Sequence, residues 1–158
     1  MKRLDIRGLE GLPLRLLIVL LLISISSPVV IESLQYHEHT VIVEVLRMMG
    51  ERVRSAVLSA YVAGPGNIRS VEVTIPISSR DAQGWMEIGG PKESIESFSI
   101  RCWVGDHLIG TLYVSDPPVR MTSQSGSVMT VHGPGSHLEV SCVALDGEMI
   151  VLIGVGRN

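Results

Sequence analysis

Residues 12–31 read LPLRLLIVLLLISISSPVVI, and no charged side chain follows Arg15 in this run. As an α-helix the run covers roughly 30 Å, which matches the hydrocarbon core of a bilayer. We therefore expect a helix that crosses a membrane. Lys2, Arg3 and Arg7 precede the run. This excess of positive charge predicts that the N-terminus stays in the cytoplasm while the C-terminal part lies outside the cell.

The composition narrows the classes of partner. The chain of 158 residues carries 13 Lys and Arg against 16 Asp and Glu, for a net charge of −3. These charges are scattered and offer no basic face to phosphates, so nucleic acid is not expected as a partner. About 125 residues follow the apolar run, which is enough for one globular domain with its own core.

An amphipathic helix is predicted directly after the apolar run. Residues 32–63 continue without a helix-breaking signal, and their apolar side chains recur at a spacing that places them on one stripe. The stripe consists of Ile42, Val45, Leu46, Met49, Val53, Val57 and Ala60. Gly64 and Pro65 follow, a pair typical of a helix end. One helix should therefore cover residues 9–63. Pro28 should bend it or loosen one turn, because proline removes a backbone hydrogen bond.

From residue 68 to residue 158 the apolar pattern changes from the period of a helix to that of a strand. Hairpin turns are indicated at Gly105 and Asp106 and again at Asp146 and Gly147. The expected strands are residues 70–77, 85–88, 97–104, 107–114, 127–131, 137–145 and 149–155. We therefore predict an α+β fold, in which the stripe of the long N-terminal helix packs on a small antiparallel β-sheet that forms the C-terminal domain.

Candidate catalytic and metal-binding patterns are sparse. His37 and His39 flank Glu38, but residues two positions apart on a helix point in different directions, which favours solvated surface over a metal site. His132 and His137 flank a glycine-rich turn, where polar residues at the ends of a hairpin are the simpler interpretation. No nucleophile, paired carboxylate or phosphate-binding motif stands out. We therefore expect no enzymatic activity, no metal and no cofactor.

Two cysteines, Cys102 and Cys142, are the only thiols of the chain. The alternation of each predicted strand places both side chains on its inward face. They are therefore either two small buried hydrophobic residues or the two halves of a core disulfide. A location outside the cell would permit the disulfide without requiring it, and the sequence leaves both alternatives open.

A basic leader ending in Arg7-Gly8, an apolar helix, an amphipathic continuation and a β-rich C-terminal part follow one another in this chain. This order resembles that of type IV pilin-like precursors, and more narrowly the archaeal pilins and pseudopilins with a class III signal peptide. The most similar segments are RGLEGLPLRLLIVLLLISIS and SAYVAGPGNIRSVEVTIP, and the layout extends the resemblance over nearly the whole chain. Arg7-Gly8 is its one site motif.

The resemblance implies a leader, residues 1–8, which a membrane prepilin peptidase removes by cutting between Gly8 and Leu9. It further implies a structural subunit of an extracellular filament, with copies of itself or related pilins as partners. Residues 12–31 would lie first in the membrane and then in the filament core. Residues 68–158 would form the extracellular surface.

The resemblance also implies roles for individual residues. Family members carry an acidic residue early in the mature helix, which is taken to pair with a neighbouring subunit's N-terminus, and Glu10 could serve here. Pro28 resembles the helix-loosening proline that pilins often carry. Pro13 and Arg15 depart from the family pattern, because they interrupt the apolar run. A buried Arg15 needs an acid, and Glu10 of the same or an adjacent subunit is the expected partner.

Two other classes of protein are consistent with the same sequence. A signal-anchored extracellular binding protein uses the apolar run as its membrane helix, needs no cut after Gly8 and does not form filaments. A secreted hydrolase would instead be released by a cut near Pro28, where the residues offer only a weak signal peptidase site. The position of the mature N-terminus separates these classes.

Overall fold

A computed structural model of the chain describes residues 7–77 and 83–156, without the side chains of residues 7–13, 34 and 35. These residues form one long helix, eight strands and a short 3₁₀ turn at Ile95–Phe98. The elements are α1 (Arg7–Ala63), β1 (Ile68–Val73), β2 (Gly84–Ile88), β3 (Ser99–Val104), β4 (His107–Tyr113), β5 (Arg120–Ser123), β6 (Met129–His132), β7 (Ser136–Leu145) and β8 (Glu148–Val155). The chain divides into two units, Met1–Glu38 and His39–Asn158.

The second unit contains two four-stranded sheets. The first sheet has the strand order β1-β7-β8-β5, and the second has the order β4-β3-β2-β6. Every pairing is antiparallel except the one between β5 and β8, which is parallel. The α+β class predicted from the sequence is confirmed, and the single antiparallel sheet is corrected to two sheets, one of which is mixed.

Both predicted hairpins are present. Trp103 pairs with Leu108 across the turn between β3 and β4, and Leu145 pairs with Glu148 across the turn between β7 and β8. The prediction was wrong for β5, because the expected strands left out residues 120–123. This strand is four residues long and has one apolar side chain, Met121, so it carries no alternation that a sequence pattern could show.

The predicted stripe of α1 forms the centre of the core. Six of its residues are buried, and Val45 packs against them half-buried; the six are Ile42, Leu46, Met49, Val53, Val57 and Ala60. They belong to one cluster with inward side chains of both sheets, such as Ile100 of β3 and Val140 of β7. Burial of an aliphatic side chain contributes about 1.5–3 kcal/mol, so this stripe is the main link between helix and sheets.

α1 ends where the sequence predicted. Gly64 has a φ of +84°, a left-handed conformation that glycine adopts without steric cost. Its N–H donates to the carbonyl of Tyr61 at 3.1 Å. The side-chain amide of Asn67 donates to the carbonyl of Ala63 at 2.7 Å and to that of Gly64 at 3.1 Å. These bonds satisfy carbonyls that the helix itself leaves without donors.

Two glycines let α1 approach the second sheet closely. A Cβ on Gly84 of β2 would lie 3.0 Å from Ile42 and 3.1 Å from Leu46. A Cβ on Gly50 of the helix would lie 2.6 Å from a methyl group of Leu112 on β4. Gly50 weakens the helix by its low propensity, and this contact supplies the reason for its presence.

Gly89 is the glycine that the fold constrains most. It follows β2 with a φ of +67°, and a Cβ there would overlap the carbonyl oxygen of Met121 on β5. We expect Gly89→Ala to lower the free energy of unfolding by about 2–4 kcal/mol, because backbone strain and a backbone clash add. Denaturant unfolding of the full chain in detergent measures the change.

Gly110→Ala provides the matched control for Gly89. Gly110 lies in β4, and a Cβ there would meet no heavy atom within 4 Å. We expect its replacement to change the free energy of unfolding by less than about 0.5 kcal/mol. Equal effects at the two positions would contradict the contact between Gly89 and β5.

Candidate functional site

The candidate site is the surface of α1 over residues 14–31, called here the apolar segment. Its large apolar side chains are each between 47% and 64% exposed. They lie on every side of the helix, since the run of apolar residues is nearly continuous and no stripe of it is buried. Monomeric soluble proteins do not expose a contiguous apolar surface of this kind, so it requires cover by lipid or by protein.

The apolar segment meets the length and hydropathy expected of a membrane span. Within the described residues one helix qualifies, Leu14–Ala63, with a mean hydropathy of 2.5 over its most apolar window, none of which is buried. This helix could anchor the chain in a membrane, because it is long enough to cross a hydrocarbon core with its backbone hydrogen bonds satisfied internally.

The serines of the apolar segment are satisfied within the helix. The hydroxyl of Ser24 donates to the carbonyl of Leu20 at 2.8 Å, and that of Ser26 donates to the carbonyl of Leu22 at 2.6 Å. The hydroxyl of Ser27 donates to the carbonyl of Ile23 at 2.7 Å. No water is needed to complete these bonds, so the three hydroxyls suit an apolar environment.

Pro28 lies inside α1, which continues through it to Ala63. Proline has no N–H, so the carbonyl of Ser24 receives no helical hydrogen bond from it. The helix runs through this position without interruption, and the bend or loosened turn expected from the sequence stays a prediction. The structure does not describe the side chains of residues 7–13. The cleavage motif, Arg7, Gly8 and Leu9, and the expected role of Glu10 therefore stay predictions.

The two cysteines are buried and free. Cys102 lies on β3 of the second sheet and Cys142 on β7 of the first. The thiol of Cys102 donates to the carbonyl of Leu46 at 3.8 Å. Of the two alternatives that the sequence left open, the structure has the pair of small buried side chains. Burial raises the pKa of both thiols, so neither is an activated nucleophile.

A cavity of about 270 Å³ lies beside Cys102, between α1 and the edge strand β4. It is lined by Val43, Arg47, Cys102, Ile109, Gly110, Thr111 and Leu112. Arg47 is the single charged residue among those lining groups. This cavity combines a protonated thiol with one guanidinium, a set that lacks the base needed to activate a nucleophile.

The outer face of the second sheet carries a row of aromatic rings that no sequence pattern predicted. Trp85 of β2 and Trp103 of β3 are cross-strand partners, and their rings stack at 5.2 Å with planes 6° apart. His132 of β6 lies on the other side of Trp85, with its ring 5.6 Å away. The Trp85 indole donates to the carbonyl of Gly105 at 3.1 Å, so its polar atom is already satisfied.

An ion-pair network borders this aromatic row. Nη1 of Arg101 lies 2.7 Å from Glu96, and its Nε lies 3.1 Å from Glu87, although that N–H is not aligned for a hydrogen bond. The Trp103 indole donates to Glu87 at 3.2 Å. Alternation places Trp85 with Glu87, and Arg101 with Trp103, on outward faces. The pairing register of β2 and β3 depends on the irregular stretch that joins them. No sequence pattern predicts that register.

His37 and His39, which follow the apolar segment on α1, are exposed. Within residues 7–77 and 83–156 no group of three or more His, Cys, Asp and Glu side chains is arranged to hold a metal ion.

The chain has a pilin-like architecture, with a long apolar N-terminal helix whose later part packs on small β-sheets. Comparisons of the chain with protein-family models, with curated proteins and with solved structures each give no match.

The buried thiol of Cys102 predicts a dependence of stability on pH. Burial raises its pKa from 9.0 to about 11. Between about pH 9 and about pH 11 the unfolded chain therefore loses this proton while the folded chain keeps it. The free energy of unfolding should fall as the pH rises through this window, and less steeply in a Cys102→Ala variant.

Denaturant unfolding of the full chain in detergent, repeated at steps from about pH 8 to about pH 11, measures both slopes. Cys142 is present in both proteins, so its own titration cancels from the comparison. Identical slopes would contradict the shift at Cys102.

Proposed function

We propose that this chain is a structural subunit of a type IV pilus-like extracellular filament, made as a membrane precursor and assembled through the apolar segment of α1. The observation that carries the proposal is that one part of α1 exposes its apolar side chains while a later part buries them. Residues 14–31 bury none of their large apolar side chains within the chain, whereas six of the seven stripe residues from Ile42 to Ala60 are buried in the core. The first surface is therefore available for other molecules.

Assembly exchanges one apolar surrounding for another. Before assembly the apolar segment lies in lipid, and in the filament it packs against the same segment of other copies or of related pilins. Lipid tails are as apolar as leucine, so this exchange is driven by close packing and by polar contacts between helices rather than by the hydrophobic effect. A subunit can therefore leave the bilayer without exposing the segment to water.

The leader, residues 1–8, holds the precursor in its orientation through its positive charges. A prepilin peptidase then cuts between Gly8 and Leu9 on the cytoplasmic side, which leaves the apolar segment on the mature subunit. The unit His39–Asn158 forms the extracellular surface of the filament. This function is structural and uses no cofactor and no catalytic residue.

A signal-anchored extracellular binding protein is the second candidate. One observation favours it: Arg15 lies at the start of the apolar segment and Glu32 follows its end, roughly 25 Å apart along the helix, so each charge would lie near one boundary of a bilayer. In this case the apolar segment stays in lipid permanently. The precursor keeps Met1, and the chain forms no filament.

The mature N-terminus tests the proposal. We expect mass spectrometry of the protein from its own cells to find a chain that begins at Leu9. Gly8→Val and Arg7→Ala should each leave most of the protein uncut in the membrane, because they alter the residues that flank the bond.

Arg3→Ala is the matched control, since it removes the same charge from the leader at a distance from the bond, and we expect normal cutting. A chain that begins at Met1 would support the anchored binding protein, and one that begins near Pro28 would support secretion. Electron microscopy of material sheared from the cells should show filaments for the unsubstituted chain and few for Gly8→Val.

A further inference from the structure

Arg15 and Glu32 are the charged residues at the two ends of the apolar segment, and none lies between them. Both side chains are exposed. The ion pairs found among the described residues join other groups. A charge beside an apolar contact surface is strongly unfavourable unless it is paired. In a filament these two charges therefore need partners.

Helix geometry prevents the two residues from meeting within one chain. They lie 17 positions apart, which corresponds to roughly 25 Å along the axis and about 100° around it. Parallel copies at the same height would place arginine beside arginine. A parallel copy that is displaced by about 25 Å along the axis places Glu32 beside Arg15 instead.

The same displacement also brings together the residues one helical turn after Arg15 and Glu32. Val19 follows Arg15 by four positions, and Tyr36 follows Glu32 by four positions, so each pair lies on one face of its helix. Tyr36 is 77% exposed although it is a large aromatic residue, and Val19 is also exposed. Both helices run in the same direction, so the displacement that joins the charges also sets the Tyr36 ring against Val19.

We propose that Arg15 and Val19 of one subunit contact Glu32 and Tyr36 of a second copy of the chain displaced by about 25 Å along the helix axis. This contact rests on the proposed filament function and specifies the register of that filament. Copies at smaller displacements cover the rest of the apolar segment. For helices parallel to a common screw axis, the offset of about 100° between the two residues requires a rotation of about 80° between the contacting copies.

Cysteine crosslinking tests the contact. Cells that produce an Arg15→Cys chain together with a Glu32→Cys chain should give a crosslinked dimer on oxidation. A chain with both substitutions should give a ladder of multimers, because each copy then bonds to two neighbours. Either single substitution alone, and the unsubstituted chain with its buried Cys102 and Cys142, should give no product.

Unassembled copies in a bilayer do not mimic this result. There residue 15 and residue 32 lie at different depths, roughly 25 Å apart. The crosslink therefore reports an axial displacement between copies rather than a lateral encounter. A crosslink from Arg15→Cys to Glu10→Cys, with none to Glu32→Cys, would overturn the contact and assign Glu10 as the partner of Arg15.

Charge reversal tests the same contact without a thiol. Arg15→Glu alone and Glu32→Arg alone should each lower the yield of sheared filaments about tenfold, because each places like charges together. The combined variant should restore the yield to within about twofold of the unsubstituted chain. Arg15→Lys keeps the charge and should retain most of the yield. Failure of the combined variant to recover would overturn the contact.

The experiments separate failure of the proposed function from failure of the proposed contact. If the unsubstituted chain yields no filaments, the proposed function is wrong. If filaments form but neither the ladder nor the recovery is seen, the function stands and the contact between Arg15 and Glu32 is wrong.

Discussion

The burial of one stripe of α1 against both sheets is the interaction on which the folded unit depends. The two sheets have no shared strand, and Leu46, Val53 and Val57 are fully buried in the cluster that contains side chains of both. The close approach at Gly84 and Gly50 fixes where the helix lies on the second sheet. Without the stripe, the inward faces of both sheets would lose much of their apolar cover.

Much of this fold could be predicted because its signals are local. The stripe recurs at helical spacing, Gly64 ends the helix, and the hairpin turn at Asp146 and Gly147 has positive φ at both residues. What could not be predicted depends on distant contacts. β5 has one apolar residue and gains its place from parallel pairing with β8, and the stack of Trp85 on Trp103 depends on a register that no local pattern encodes.

The candidate site also has features that the sequence predicts and features that it does not. The apolar segment is visible in the sequence, because its composition alone requires an apolar environment. The state of Cys102 and Cys142 was not visible, since inward alternation is the same for a disulfide and for two buried thiols. The structure distinguishes the two cases, because both thiols are buried and free. The roles of Gly8 and Glu10 come from resemblance to pilins and depend on other molecules, a peptidase and a neighbouring subunit.

The fit of α1 against Gly84 has a mechanical consequence. Side chains of Ile42 and Leu46 lie over this glycine, in a notch that any larger residue would fill. A force along the helix axis would press these side chains against the residues that flank the notch, so this contact opposes sliding of the helix over the sheet. Tension on the helix therefore passes into the hydrogen bonds of β2 with β3 and β6. Because β2 is paired along both of its edges, both neighbouring strands oppose its displacement together.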